Sequence, residues 1–121
     1  MNNKVGKIMS IFTLSGTIYR ILLLLEKEGK MRPKDLGIII GFKENHVFIK
    51  SAFNFGWIEK FDSNNREVYY SITESGKNIL KDVDSIVEHA DILRKSEMGL
   101  DEQYKIRVDN ILICRQFVDN L

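Results

Sequence analysis

Apolar positions recur at helical spacing through most of the chain and at strand spacing through one stretch near its middle. Ile18, Ile21, Leu22 and Leu25 form one stripe, and Leu23 and Leu24 widen it over most of the circumference, as expected of a helix buried nearly all round. The pattern predicts a central helix from Ser15 or Thr17 to about Lys27, with Glu26 to Lys30 as its polar exit and Gly29 as its cap. Met31 adds a short strand residue. Pro33 then opens a second helix, because a first-turn proline gives up no intrahelical bond, and Asp35 lies where the helix dipole favours a carboxylate. Leu36, Ile39 and Ile40 face inward, and Gly41 permits a sharp change of direction.

A third helix is expected from Lys43 to Asn54 or Phe55, with Ile49, Ala52 and Phe53 as its core stripe and Phe42 in the preceding turn. Lys43, Glu44, His46, Lys50 and Ser51 mark its polar circumference. Gly56 ends it. Trp57, Ile58 and Phe61 begin a strand, Asp62 to Arg66 is a polar tip, and Glu67 to Ile72 pairs back with Val68, Tyr70 and Ile72 on one face and Tyr69 and Ser71 on the other. Thr73 caps a helix opening at Glu74. Along it Ile79, Val83, Ile86, Ala90 and Leu93 recur in alternating steps of four and three, a rhythm suited to a partner helix. Arg94 to Gly99 breaks it, and a last helix from about Asp101 to Asn120 carries Tyr104, Val108, Ile111, Leu112, Cys114, Phe117 and Val118. Residues 1–13, with Val5, Ile8, Ile11 and Phe12, are either a short helix or an arm against a partner subunit.

Composition narrows the class. The chain has 121 residues, 44% of them hydrophobic and 29% charged, enough for one packed domain with an appended helical arm and unlike a disordered tail. Its longest apolar stretch, Ile21 to Leu25, is far too short to cross a bilayer, no signal-peptide pattern is present, and a cytoplasmic protein without membrane partners is expected. The single Cys114 has no internal disulfide partner and reads as a small buried hydrophobe. His46 and His89 are too far apart in sequence for a local metal motif. Net charge is +1, but residues 1–60 carry ten Lys or Arg against five Asp or Glu, and residues 61–121 carry eight against twelve. This polarity of +5 against −4 turns the first half toward a polyanion.

The fragments IYRILLLLEKEG, DLGIIIGF, FGWIEK and YYSITESGKNIL, in this order, resemble the winged helix-turn-helix transcription regulators of the broad MarR, PadR and ArsR-like kind, over roughly residues 14–80. The most specific is the last, in which wing strand, Ile-Thr, two residues, Gly and Lys lead into a helix. The resemblance implies a mainly α fold with a small β-hairpin, a winged helix-turn-helix domain over 14–76 and a C-terminal helical dimerisation region over 77–121. It further implies a homodimer on double-stranded DNA, the third helix in the major groove and the Asp62 to Arg66 wing on the minor groove or backbone. The segment between Gly41 and Gly56 departs from the family in being shorter and in lacking its Ser/Thr/Arg-rich surface.

DNA binding needs cations for phosphates and donors or acceptors for base edges. Asn45, His46, Lys50 and Ser51 are the candidate base contacts, and Arg32, Lys34, Lys43, Lys60 and Arg66 the candidate phosphate contacts. Lys50 serves either purpose, and Glu44 either accepts from cytosine or stabilises the helix start. The candidate dimerisation residues are Ile86, Ala90, Leu93, Tyr104, Val108, Ile111, Leu112, Phe117 and Val118, since one core does not comfortably absorb both late helices; an intramolecular hairpin closing at Arg94 to Gly99 is the alternative. Phe48 and Phe55 either cap the core beside Trp57 or form an aromatic patch for a protein partner, which makes an interaction adaptor the second functional expectation. TESGK has neither the spacing of a nucleophile elbow nor that of a phosphate-binding loop, so no enzyme activity and no cofactor are expected. By resemblance a small effector could sit at the dimer interface, with no ligand identified.

Overall fold

The leucine-rich stretch folds as α1 (Thr17–Glu28), and it is the hub of the molecule. Ile18, Ile21, Leu22, Leu24 and Leu25 are all essentially inaccessible to solvent, because helices or strands pack on α1 from nearly every side. A computed structural model of the chain describes residues 16–42, 47–62, 66–96 and 102–121. The helix stops where expected: Gly29, at φ 90, donates its N–H to the Leu25 carbonyl at 2.8 Å. A left-handed residue of this kind is cheap only for glycine.

The short strand β1 (Lys30–Met31) leads into α2 (Pro33–Ile40), which Pro33 opens. Gly41 takes φ 98, and the N–H groups of Gly41 and Phe42 both donate to the Gly37 carbonyl. The next described helix, α3 (Val47–Asn54), packs on α1 through Ile49 and Ala52. Strands β2 (Ile58–Asp62) and β3 (Val68–Ile72) then pair antiparallel from Ile58↔Ile72 to Asp62↔Val68. The other edge of β3 takes β1, with Met31 opposite Tyr70, so the sheet has three antiparallel strands in the order β1-β3-β2. The fold is thus mainly helical with a small antiparallel sheet.

Helix α4 (Glu74–Arg94) starts on two bonds made by one hydroxyl. Thr73 Oγ1 accepts from the Gly76 N–H at 3.1 Å and donates to the Gly56 carbonyl at 2.7 Å, tying the helix start to the end of α3. Gly76 lies against the Trp57 carbonyl with no room for a Cβ. After α4, α5 (Glu102–Asp119) lies along α1 and α4.

This placement corrects one expectation. Ala90, Val108, Ile111 and Val118, assigned from sequence to a second copy of the chain, are buried inside this one. The reason is α1 itself: a helix apolar on nearly all sides must be covered on all sides, and α4 and α5 cover the faces that α2, α3 and the sheet leave. Polar contacts hold α5 there. Lys27 Nζ donates to the Val118 carbonyl at 3.2 Å, Arg115 Nε to the Tyr19 hydroxyl at 2.7 Å, and Arg94 pairs with Asp109 at 2.9 Å. Arg115 also pairs with Asp84 on α4. Cys114 is buried as expected, its thiol against the Gly16 carbonyl. Among the described residues no helix is long and apolar enough to cross a membrane.

Candidate nucleic-acid interface

Once Ile49 and Ala52 point at the core, the geometry of α3 follows. Residues at i, i+3, i+4 and i+7 share a helix face, so Val47, Lys50, Ser51 and Asn54 form its outer surface. Val47 is 58% exposed, Lys50 and Asn54 are exposed, and Ser51 is half-buried. Phe48 and Phe53 flank the buried pair on opposite sides. Phe48 packs against the core, whereas Phe53, expected in the core stripe, is 46% exposed and meets the edge of Tyr70 with ring centroids 6.4 Å apart. Phe53 lies toward the sheet, where Tyr70 covers only one side of it. Phe55 completes the core cap instead, with its ring 4.7 Å from that of Trp57.

The Phe53–Tyr70 contact locates the hairpin relative to α3. Lys60 is the direct cross-strand partner of Tyr70, and opposite residues in an antiparallel pair share a sheet face. Exposed Lys60 therefore lies on the α3 side of the sheet. Lys60, and exposed Asp62 opposite Val68, thus share with Tyr70 the sheet face that Phe53 of α3 meets, while Lys50 and Asn54 lie on the outer face of the same helix. Exposed Arg66 follows the hairpin tip with φ 62, a conformation costly for a side chain other than glycine or asparagine. Lys34 is exposed at the start of α2. Among the described residues, no ion pair engages Lys34, Lys50, Lys60 or Arg66.

Arg32 has a different place from the one expected. Its Nε donates to Asp35 of α2 at 2.9 Å and its Nη1 to Glu67, the residue before β3, at 3.2 Å, so the guanidinium is shared by two half-exposed carboxylates. Asp35, followed by Glu67, holds the guanidinium pKa above its ordinary value. Glu67 also accepts from the Tyr69 hydroxyl at 2.7 Å, which pushes the Tyr69 pKa up. Lys43, Asn45 and His46, like Glu44, lie outside the described residues.

The opposite sheet face carries a group that sequence reasoning left unassigned. Phe61 and Tyr69 lie side by side across the strands at 6.2 Å, and the Lys30 ammonium sits 5.0 Å from the Tyr69 ring centroid and 5.5 Å from that of Phe61. Strand alternation was the available signal for the pair; the reach of Lys30 depends on the β1–β3 pairing.

Of the remaining dimerisation candidates, Ile86, Leu93, Tyr104 and Phe117 are half-buried and Leu112 is 37% exposed. Tyr104 donates to the Ile86 carbonyl at 3.3 Å, and the Arg20 guanidinium covers Phe117 at 5.1 Å. The exposed apolar pair on α5 is a different one. Ile106 and Ile113 are 53% and 56% exposed, and their spacing of two turns puts them on the helix face opposite Val108 and Ile111. Among the described residues no three His, Cys, Asp or Glu side chains gather as metal ligands.

No protein-family model, curated protein or solved structure matches this chain.

Proposed function

We propose that the protein is a homodimeric, double-stranded-DNA-binding transcription regulator built as a winged helix-turn-helix. In this account α2 and α3 are the helix-turn-helix, α3 enters the major groove, and the β2–β3 hairpin is the wing along the backbone or minor groove. The observation that carries the proposal is the exposed outer face of α3, with Lys50 and Asn54, on a helix whose Phe53 meets the hairpin face that bears Tyr70 and Lys60. A helix presented in this way fits a major groove, and lysines without ion pairs among the described residues suit phosphates. The basic bias of residues 1–60 supports the same partner.

Dimerisation is assigned to the outer face of α5, where Ile106 and Ile113 are exposed, rather than to the side chains that α5 buries inward. Pairing of two copies there brings two α3 helices to one duplex, and a symmetric dimer of this class reads half-sites about 34 Å apart. Selection of bound fragments from a genomic pool tests the proposal. An inverted repeat whose affinity falls steeply with salt is expected, and absence of salt-sensitive duplex binding would refute it.

A protein-interaction adaptor is the second account, favoured by the exposure of Ile38, Val47 and Phe53 around the same surface. It predicts a complex that survives neutralisation of Lys50, Lys60 and Arg66 and is lost in Phe53→Ser. The DNA account predicts that the three charge changes abolish binding.

A further inference from the structure

The DNA assignment leaves one feature of α3 unexplained: why a large β-branched aliphatic side chain stands on its outer face. Val47 is 58% exposed, and packing does not require it there, because Ile49 and Ala52 supply the inward contacts of α3. It occupies the first described turn of the helix and shares a face with Lys50, Ser51 and Asn54. Lys50, three residues on and on the same helix face, is exposed and places a cation beside this apolar spot. A purely apolar protein partner has no use for that charge. The major groove of DNA offers both complements at once: phosphates along its walls and, on its floor, the thymine C5-methyl group, its main apolar feature.

Resting on the proposed DNA-binding function, we infer that Val47 is a specificity-determining residue that selects thymine by packing on its C5-methyl group. The Val47 isopropyl group covers the methyl and excludes water from it, a preference that hydrogen-bonding side chains on the same face do not supply. Lys50 and Asn54 lie one and two turns further along the helix, so the methyl contact falls at one end of the half-site and the polar contacts fall inward or outward of it along the groove. Asn54 has the donor–acceptor pair that fits adenine. Cytosine, which lacks the methyl group, is disfavoured at the Val47 position.

The test replaces thymines in a selected duplex by deoxyuridine one symmetric pair at a time, which removes only the methyl group and keeps base pairing. For the unmodified protein one such pair is expected to weaken binding about fourfold per half-site, the value of one buried methyl group. Val47→Ala, exposed and therefore expected to keep the native thermal unfolding curve, should discriminate between the thymine and deoxyuridine duplexes less than the unmodified protein does. It should match the unmodified protein on the deoxyuridine duplex. Binding indifferent to every replacement, or Val47→Ala as sensitive as the unmodified protein, would overturn the methyl contact while leaving DNA binding in place. Failure to retain any duplex would overturn both. Capture of a protein through this face, with duplex binding unaffected by Val47→Ala, would also overturn it.

Discussion

Gly76 lies in the first turn of α4, where alanine would ordinarily be the better helix former by up to about 1 kcal/mol. The packing here reverses that sign. A Cβ on Gly76 would fall on the Trp57 carbonyl oxygen, with Ile72 Cγ1 2.7 Å away. The Trp57 carbonyl is not free to retreat, because it accepts the Thr73 N–H at 3.0 Å, and Thr73 in turn caps α4 and binds the Gly56 carbonyl. Forcing the added methyl group in costs about 1–3 kcal/mol of overpacking, and loosening the Thr73 bond costs about 1 kcal/mol more. Subtracting the propensity gain leaves Gly76→Ala destabilised by about 1–3 kcal/mol. The assay is urea unfolding followed by fluorescence of the single tryptophan, Trp57, which is fully buried in the native state. Ser75→Ala, one position earlier and exposed, is the control and should move the midpoint by less than about 0.5 kcal/mol. A Gly76→Ala midpoint equal to or above that of the unmodified protein would refute the close approach of α4 to the Trp57 carbonyl.

Three further outcomes are expected. If the proposed dimer forms through α5, Ile106→Glu together with Ile113→Glu should leave the far-ultraviolet circular dichroism unchanged, both side chains being exposed, and halve the mass measured by light scattering; retention of a dimer mass would exclude this face. Arg66→Gly relieves φ 62 and should raise stability by about 0.5 kcal/mol, the left-handed penalty less the entropy cost of glycine, while weakening DNA binding; a loss of stability would contradict the strained geometry. Burial pushes the Cys114 thiol pKa up, partly offset by Arg20. A raised native pKa means that the folded state holds its proton longer than the unfolded one, so this contribution is fully present below about pH 8.5 and is lost as pH rises above it. The unfolding midpoint should fall as pH rises above about 8.5, and less steeply in Cys114→Ala; identical slopes would refute the burial effect.

What was legible in the sequence is what depends on neighbours along the chain. The span of α1, its stop at Gly29, the opening of α2 at Pro33 and the Thr73 cap all follow from local backbone chemistry, and each is present. Strand alternation likewise placed Tyr70 and Ile72 on one face and Tyr69 on the other. Periodicity shows which face of a helix is apolar but not whose surface covers it. For that reason Val108 and Ile111 could be read as dimer contacts, although α1 takes them up within the chain. Phe53 and Arg32 depend in the same way on distant partners: Tyr70 on the sheet leaves the first half exposed, and Glu67 holds the second in place. The outer surface of α3 became visible only when Ile49 and Ala52 fixed its rotation.

The most direct measurement is the salt dependence of affinity for a selected duplex. Lys34, Lys50, Lys60 and Arg66 are exposed without ion pairs among the described residues, and in a dimer they offer about eight phosphate contacts, for a slope of log affinity on log salt of about −7. Affinity should therefore fall by about 10⁴-fold between 50 and 200 mM salt, and Lys60→Ala should make the slope shallower by about 2. A slope near zero, or one that Lys60→Ala leaves unchanged, would contradict a duplex held across α3 and the hairpin.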